Sequence, residues 1–278
     1  MQSSATEALP ATEAIVLAQE GHALYVTLNR PKSRNAMSLQ MVQELMAVFT
    51  AIENNDEIRA VVIRGSGGHF CAGGDIKDMA TARSQAAEAS QSGKANPFFA
   101  LNREFGYLIS KANQAPQVVI VVLEGAVLGG GFGLACVSDV AIADQNAQFG
   151  LPETGLGVIP AQIAPFVVQR VGLTQARRLA LLGERFNGEQ ARQLGIVHYV
   201  KNGESEISEQ LQQVLHQVKR CAPTANRKTK ALMHRVGHEP MESLLDDAAR
   251  DFADAVASEE GMEGTKAFVE KRLPNWAQ

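Results

Sequence analysis

The pattern of apolar and polar positions predicts alternating strands and helices as far as residue 203. Val118 to Val122 form an apolar, β-branched run, which is typical of a strand buried on both faces. After Ser38, a favourable N-cap, apolar residues keep a helical period to about Asn54. The other predicted strands are 14–17, 23–28, 60–63 and 196–200, and the other predicted helices are 98–112, 132–137, 174–183 with Thr174 as cap, and 189–194.

Several segments show neither the helical nor the strand periodicity of apolar residues. Residues 1–12 are expected to be flexible, and 84–95 are expected to form a mobile loop because they are small, polar and weakly patterned. Asn29 to Lys32 and Leu156 to Pro165 are predicted to be irregular.

The character of the chain changes at Glu204. From there the pattern predicts two long amphipathic helices and no strand. One apolar stripe contains Met241, Leu244, Leu245, Ala248, Phe252 and Val256. The stripe could mediate oligomerisation or cover the core of its own chain. The predicted organisation is a flexible N-terminus (1–12), an α/β core (13–203) and an α-helical region (204–278).

Composition narrows the possible functions. With 278 residues, 45% hydrophobic and 20% charged, the chain can build a sizeable core. The net charge of −4 argues against nucleic acid as the main partner. No apolar run has the roughly 20 residues that span a bilayer.

The cysteines and the N-terminus point to a reducing compartment. Cys71, Cys136 and Cys221 are widely spaced and form no CxxC motif, so a disulfide framework is not expected. The first residues resemble neither a signal peptide nor a transit peptide, and we expect a cytoplasmic protein. The histidines have no ligand spacing, and no metal site is predicted.

Two glycine-rich turns carry the candidate chemistry. One spans Cys71 to Asp75 and the other Gly129 to Gly131, and each follows a buried strand and precedes a helix. Without Cβ atoms a ligand can approach the backbone closely, and N–H groups at a helix N-terminus can stabilise negative charge. Together, such turns could aim two N–H groups at one carbonyl oxygen. Tight packing of helix on strand explains each turn equally well.

Glu153 is the candidate proton carrier. It lies in the segment AQFGLPETGLG, among Phe149, Leu151 and Leu156. Apolar surroundings raise the pKa of a carboxyl group, which suits acid–base catalysis near neutral pH. An exposed loop glutamate is the alternative. Cys71 is not expected to be a nucleophile, because no base is placed in the sequence to activate it.

Taken together, the motifs resemble those of the enoyl-CoA hydratase/isomerase (crotonase) family. They are NRPKSRNAMS, GHFCAGGDIKDM, EGAVLGGGFGLACVSDVAIA, AQFGLPETGLGVIP and AFVEKRLPNW, in that order. The resemblance implies an α/β fold, the ClpP-like spiral of ββα units, followed by helices that build a homotrimer, often paired into a hexamer. It also implies an acyl-CoA thioester as substrate and no cofactor beyond the coenzyme A that the substrate carries.

The resemblance also implies roles for individual residues. Backbone N–H groups of Gly74 and Gly130 would form an oxyanion hole, and Glu153 would match the second catalytic glutamate of the hydratases. Positions that match coenzyme A contacts are Lys32, Arg34, Ala72, Asp75, Ile76, Phe268 and Lys271, of which the last two often reach a neighbouring subunit's substrate.

One departure from the family pattern is informative. Ordinary hydratases carry the motif GGGxE, whereas this chain has GGGFG, so Gly133 stands where the first catalytic glutamate would be. Either Glu153 alone handles the water in a hydratase, or Glu153 moves a proton between Cα and Cγ in a Δ3,Δ2-enoyl-CoA isomerase. A non-catalytic acyl-CoA-binding or RNA-binding relative is the third alternative.

A second local resemblance favours hydration of a carboxylated substrate. GGGFGL and GLGVIPAQIAPFVVQRVG look like bacterial methylglutaconyl-CoA and isohexenylglutaconyl-CoA hydratases of leucine and acyclic-terpene breakdown. The isohexenyl form is favoured because the wall near Glu153 is apolar. Arg103 or Lys111 could meet the substrate carboxylate, although surface positions would explain both.

Overall fold

The computed structural model describes residues 9–92 and 96–278. Its strands are β1 (Ile15–Glu20), β2 (Ala23–Leu28), β3 (Ala60–Gly65), β4 (Val118–Leu123), β5 (Ala126–Leu128), β6 (Val140–Asp144), β7 (Gln148–Gly150), β8 (Arg185–Phe186) and β9 (Tyr199–Lys201). Its helices are α1 (Leu39–Ala51), α2 (Ile76–Ser92), α3 (Pro97–Gln114), α4 (Gly130–Val137), α5 (Ala164–Leu182), α6 (Gly188–Gln193), α7 (Glu204–Arg220), α8 (Pro223–Arg235), α9 (Met241–Ala257) and α10 (Glu259–Val269).

The strands form two sheets. The larger has the order β1-β2-β3-β4-β6-β9, and all its pairs are parallel except β1 with β2. The smaller contains β5, β7 and β8. Strands β4 and β5 are almost continuous, yet belong to different sheets, so the chain turns from one layer into the next as the ββα spiral requires. This arrangement confirms the expected fold class.

Both faces of the larger sheet are buried, as the β4 sequence predicted. Alternate β4 side chains enter different cores, because successive strand residues point to opposite faces. Val119 and Val121 join the main core with α1, α3 and α4, whereas Ile120 and Val122 face α7. The residues of α7 in that second core are Ile207, Leu211 and Val214.

The helices of the C-terminal region are packed in two different ways. It contains four helices rather than the two predicted, because Pro223 and the segment before Met241 divide the amphipathic pattern. Helix α7 covers the chain's own sheet, whereas most of the apolar stripe on α9 is exposed, including Phe252 at 72%. No helix in the described part of the chain is long and apolar enough to cross a membrane.

Two segments predicted to be unstructured are ordered. Residues 84–92 belong to α2 instead of a loop, since this Ala- and Gln-rich stretch contains no helix breaker. Residues 9–12 were expected to be flexible, but Leu9 packs against the main core and the Thr12 hydroxyl donates to the Ile15 carbonyl. The remainder of the predicted flexible N-terminus (1–8) and of the predicted loop (93–95) lies outside the described residues.

Other differences concern element ends. Thr174 is not a cap, because α5 begins at Ala164 and continues past a non-helical Gly172 to Leu182. The Ser38 cap is confirmed, since its side chain accepts the Met41 N–H. The last strand covers 199–201 rather than 196–200. Strands β5, β6, β7 and β8 were not predicted, because such short segments show too little alternation of apolar and polar residues to be recognised.

Candidate active site

The two glycine-rich turns lie against each other. Cys71 forms a parallel bridge with β5: its N–H donates to the Ala126 carbonyl at 2.9 Å, and its carbonyl accepts the Leu128 N–H at 2.9 Å. A Cβ at Gly131 would stand 2.6 Å from the Cys71 Cβ, so these backbones pack without side chains between them. The close approach explains why packing and ligand binding both require glycine here.

Gly74 and Gly130 occupy comparable positions on the two turns. The amides next to Gly74 are engaged, since Asp75 N–H donates to the Met37 carbonyl and Met37 N–H donates to the Gly73 carbonyl. Gly74 itself is exposed, with open space beside its Cα. Gly130 is the first residue of α4, where an N–H has no intrahelical acceptor. Both positions can therefore offer an N–H to a ligand.

Glu153 lies beside this pair of turns. It opens a short 3₁₀ helix directly after β7 and Pro152, and β7 pairs in parallel with β5. Its Oε1 is 2.8 Å from the place that a Cβ on Gly129 would take. Since Gly129 immediately precedes Gly130, the carboxylate is placed next to the second turn.

The environment of Glu153 favours its neutral form. The side chain is half-buried, and Oε2 is buried with no hydrogen-bond partner among the described residues. Burial raises the pKa of the Glu153 carboxyl, and one backbone hydrogen bond opposes this only in part. A carboxyl group with a raised pKa and a free oxygen can exchange protons with a molecule bound between it and the turns.

Apolar side chains fill the space beside Gly133, the position at which the family pattern has its first catalytic glutamate. Gly133 is buried in α4, and an added Cβ would overlap Ile163 Cγ2 and stand 2.9 Å from Ile109 Cδ1. Ile163 follows Pro160 by three residues, and Ile109 belongs to α3. The wall around residue 133 is therefore apolar, and a side chain there would require Ile163 and Ile109 to move.

Helix α3 also reaches the glycine turns. The Phe105 ring lies 3.2 Å from the place of a Cβ on Gly130. Sequence reasoning missed Phe105, since nothing in the local pattern shows which face of α3 meets the glycine turns.

The first turn is attached to the loop after β2 by polar groups that the sequence did not single out. Buried Asn35 donates to the carbonyls of Ser66 and His69, and accepts the Arg30 N–H. The Arg30 guanidinium binds the buried Asp75 carboxylate at 2.5 Å. The motif NRPKSRN thus holds the turn in place.

Asp75 has a structural part in this arrangement. Its Oδ1 accepts the Lys77 N–H at the start of α2. Burial alone would raise the pKa of Asp75, but the hydrogen bond and charge of Arg30 together with hydrogen bonds from the backbone N–H groups of Lys77 and Asp78 outweigh it, and the pKa is lowered. Burial raises the pKa of the Cys71 thiol to about 11, so a neutral thiol packs between the turns, as expected for a non-nucleophilic cysteine.

The other predicted coenzyme A contacts fall into two groups. Near the first turn, Lys32 and Arg34 are exposed, Ile76 is 80% exposed, and Ala72 N–H donates to the Arg34 carbonyl. The second group is on the tail.

Both tail positions, Phe268 and Lys271, are exposed, and Phe268 is 84% exposed. Helix α10 packs mainly on α9. The tail residues are thus displayed to solvent in the single chain.

The two candidates for the substrate carboxylate differ. Lys111 Nζ pairs with Glu53 at 2.7 Å, which accounts for its charge and removes it as a candidate. Arg103 Nη1 instead donates to Gln162 Oε1 at 3.1 Å. No group of three or more potential metal ligands occurs among the described residues.

Known proteins resemble the chain along nearly its whole length. Residues 18–278 match the family described as enoyl-CoA hydratase/isomerase. An enoyl-CoA hydratase/isomerase of Marinobacter aquaeolei is 59% identical, with 95% of this chain and 99% of that chain covered at a TM-score of 0.91. Pseudomonas aeruginosa AtuE is 56% identical over 96% of this chain and 100% of that chain, also with a TM-score of 0.91.

A curated relative is more distant. The mevalonyl-coenzyme A hydratase SIDH of Beauveria bassiana is 33% identical over 92% of this chain and 91% of its own length. The family match, the relatives and the shared fold agree: the chain belongs to the enoyl-CoA hydratase/isomerase family.

Proposed function

We propose that this enzyme hydrates a branched, carboxylated 2-enoyl-CoA to the 3-hydroxyacyl-CoA. The substrate is isohexenylglutaconyl-CoA or 3-methylglutaconyl-CoA, as used in acyclic-terpene or leucine catabolism, and we favour the former. The observation that supports this proposal is the difference between the surroundings of Glu153 and Gly133. Glu153 has a buried oxygen without a hydrogen-bond partner in the described part of the chain, whereas Ile163 fills the space beside Gly133.

In the proposed mechanism Glu153 both removes and returns the proton. Its carboxylate takes a proton from water as the water oxygen bonds to C3 of the substrate. The C2–C3 double bond then shifts toward the thioester, whose oxygen becomes an enolate held by the N–H groups of Gly74 and Gly130. Glu153 next gives the proton to C2, the carbonyl re-forms, and the net addition is one water. The raised pKa of Glu153 suits both steps.

The substrate supplies what the chain lacks at residue 133. With no second carboxylate in the protein, the substrate's own carboxylate accepts the other hydrogen bond of the attacking water. Two relatives are compatible with a branched or carboxylated acyl group, since their names specify mevalonyl-CoA and 2,3-dehydroadipyl-CoA; the second, from Escherichia coli, is 28% identical.

The proposal extends to the oligomeric state, the cellular location and the cofactor requirement of the enzyme. We propose a cytoplasmic homotrimer or hexamer that requires no cofactor. The exposed apolar residues of α9, with Phe268 and Lys271 displayed on the tail, support an assembly in which the tail meets a neighbouring subunit's substrate. Lys32, Arg34, Ala72 and Ile76 would contact coenzyme A near the first turn.

An isomerase is the alternative that one observation favours. A wall that lacks a second carboxylate also suits transfer of a proton between C2 and C4 by Glu153 alone. The distinguishing experiment is turnover of 3-methylglutaconyl-CoA, isohexenylglutaconyl-CoA and a 3-enoyl-CoA in H₂¹⁸O, followed by mass spectrometry. We expect ¹⁸O at carbon 3 and the highest kcat/KM for isohexenylglutaconyl-CoA. A double-bond shift without ¹⁸O would overturn the proposal in favour of the isomerase.

A further inference from the structure

Helix α3 packs against the segment at 160–163 through successive layers of side-chain contacts, which we call rungs. In the first rung, Ile109 and Ile163 close on Gly133. The next rung lies one helical turn toward the N-terminus of α3, where Gly106 faces Gln162. Ile109 and Gly106 are three residues apart, so the rungs are separated by about 4.5 Å along the helix. The second rung is therefore a near neighbour of the place that the first catalytic carboxylate would have occupied.

Arg103 is held in this second rung by two groups, the Gln162 amide and the Tyr107 ring. Its Nη1 donates to Gln162 Oε1 at 3.1 Å, and its Cζ lies 4.1 Å from the centroid of the Tyr107 ring. Gln162 is fixed in turn, because its Nε2 donates to Asn102 Oδ1 at 2.9 Å. These contacts set the direction of the guanidinium and leave most of its five N–H donors available.

The charge of Arg103 has no carboxylate partner among the side chains that the structure describes. Some arginines on the described surface are paired, such as Arg64 with Glu204 and Arg178 with Glu184, so the contact of Arg103 with a neutral amide is not the general arrangement. A partly buried guanidinium that is held by a neutral amide retains its full charge for a ligand. The bidentate geometry of guanidinium matches a carboxylate.

Gly106 is the residue of α3 that lies against the Arg103–Gln162 pair. It is buried in the interior of α3, where glycine is destabilising by roughly 1 kcal/mol relative to alanine. An added Cβ would overlap Gln162 Oε1 and stand 2.5 Å from Arg103 Nη1. The glycine therefore makes room for the contact between Arg103 and Gln162, which a freely solvated surface arginine would not need.

We infer that Arg103, positioned by Gln162 and Tyr107, binds the distal carboxylate of the acyl group and selects for carboxylated substrates. The inference rests on the proposed function. A carboxylate carried on a one-carbon branch at C3 reaches two carbon–carbon bonds and one hydrogen bond outward, about 5 Å, which matches the separation of the rungs.

The test compares 3-methylglutaconyl-CoA with 3-methylcrotonyl-CoA, which lacks the distal carboxylate. For Arg103→Gln, we expect kcat/KM on the carboxylated substrate to fall roughly 10- to 150-fold, mainly through KM, because a hydrogen-bonded charge is lost. Turnover of the uncharged substrate should stay within about twofold of wild type. Because both substrates are measured on one preparation, misfolding would lower both values together.

Two further variants sharpen the result. Gln162→Glu keeps the shape of the side chain but neutralises Arg103, so we expect the same selective loss. Lys111→Gln is the matched control, since it removes a cation from the same helix that already pairs with Glu53. It should leave the preference between the two substrates unchanged.

The outcomes separate the two proposals. If wild type prefers the carboxylated substrate but Arg103→Gln and Gln162→Glu retain that preference, the assignment of Arg103 is wrong and the proposed function stands. If wild type hydrates the uncharged substrate at least as well, the proposed function and the role of Arg103 both fall. Selective loss in both variants supports the assignment.

Discussion

The walls on the two sides of the glycine turns are built in opposite ways. On one side Glu153 follows β7 and presents an oxygen that has no hydrogen-bond partner within residues 9–92 and 96–278. On the other side α4 passes Ile163 and Ile109 so closely that Gly133 has no space for any side chain. One wall can carry a proton and the other can only exclude water and shape an acyl group. The space beside Gly133 is thus occupied by apolar side chains.

This contrast explains why the missing glutamate cannot be treated as a single substitution. A glutamate at residue 133 would bring its charge into a wall of fully buried apolar side chains. Isolated charges are strongly disfavoured there. The two walls therefore have to be tested separately. The Glu153 wall is tested by measurements of activity, and the Gly133 wall by measurements of stability.

The largest effect is expected on the polar wall. Glu153→Gln removes the proton carrier but keeps its shape, so kcat should fall by about 10²- to 10⁴-fold. Binding of the coenzyme A thioester, measured by calorimetry, should be retained. Glu189→Gln is the control, since this glutamate is an exposed member of a surface pair with Arg192. Unchanged turnover in Glu153→Gln would contradict a catalytic role and favour a binding protein.

A smaller effect is expected from the apolar wall, on stability. In Gly133→Ala, the new Cβ overlaps Ile163, and such overpacking costs about 1–3 kcal/mol, partly offset by the better helix propensity of alanine. Gly133→Glu should be worse and should lower activity on the branched substrate. Urea unfolding measures the change in the free energy of unfolding.

Matched variants test the cause of that loss. Gly155→Ala adds a Cβ in open space and should leave stability nearly unchanged. Adding Ile163→Ala to Gly133→Ala should give a double mutant that is less destabilised than the sum of the single changes, because the overlap is removed. If Gly133→Glu instead raised activity on crotonyl-CoA without loss on the branched substrate, the proposed specialisation would be wrong.

The smallest effect concerns the pH dependence of stability. Burial raises the pKa of folded Glu153 above that of the unfolded chain, about 4.3. The folded protein then binds more protons, so this group makes it less stable as pH rises from the unfolded pKa through the folded pKa. Glu153→Gln should raise Tm by about 1–3 °C near pH 7.5 and not below about pH 4. An equal shift at both pH values would show that the gain is unrelated to ionisation.

Local patterns predicted the parts of the fold that depend on near neighbours. The β-branched run of β4, the Ser38 cap and the glycine turns are each determined by a few consecutive residues. A helix was expected after the first glycine turn, but its second half was predicted as a loop, because Ala82 is the one buried residue among the described side chains of α2 and gives almost no apolar period. Its helix propensity was the signal that could have identified it.

The sequence by itself determined the family motifs, the position of Glu153 and the absence of a carboxylate at residue 133. Only the tertiary structure showed what fills the vacated space and which arginine is available. Lys111 and Arg103 look alike in sequence, but Lys111 pairs with Glu53, 58 positions away, and Arg103 with Gln162, 59 positions away. Such partners are set by the packing of α1, α3 and the segment after Pro160. Contacts between residues far apart in the chain produce no local sequence pattern, so the sequence alone could not predict these partners.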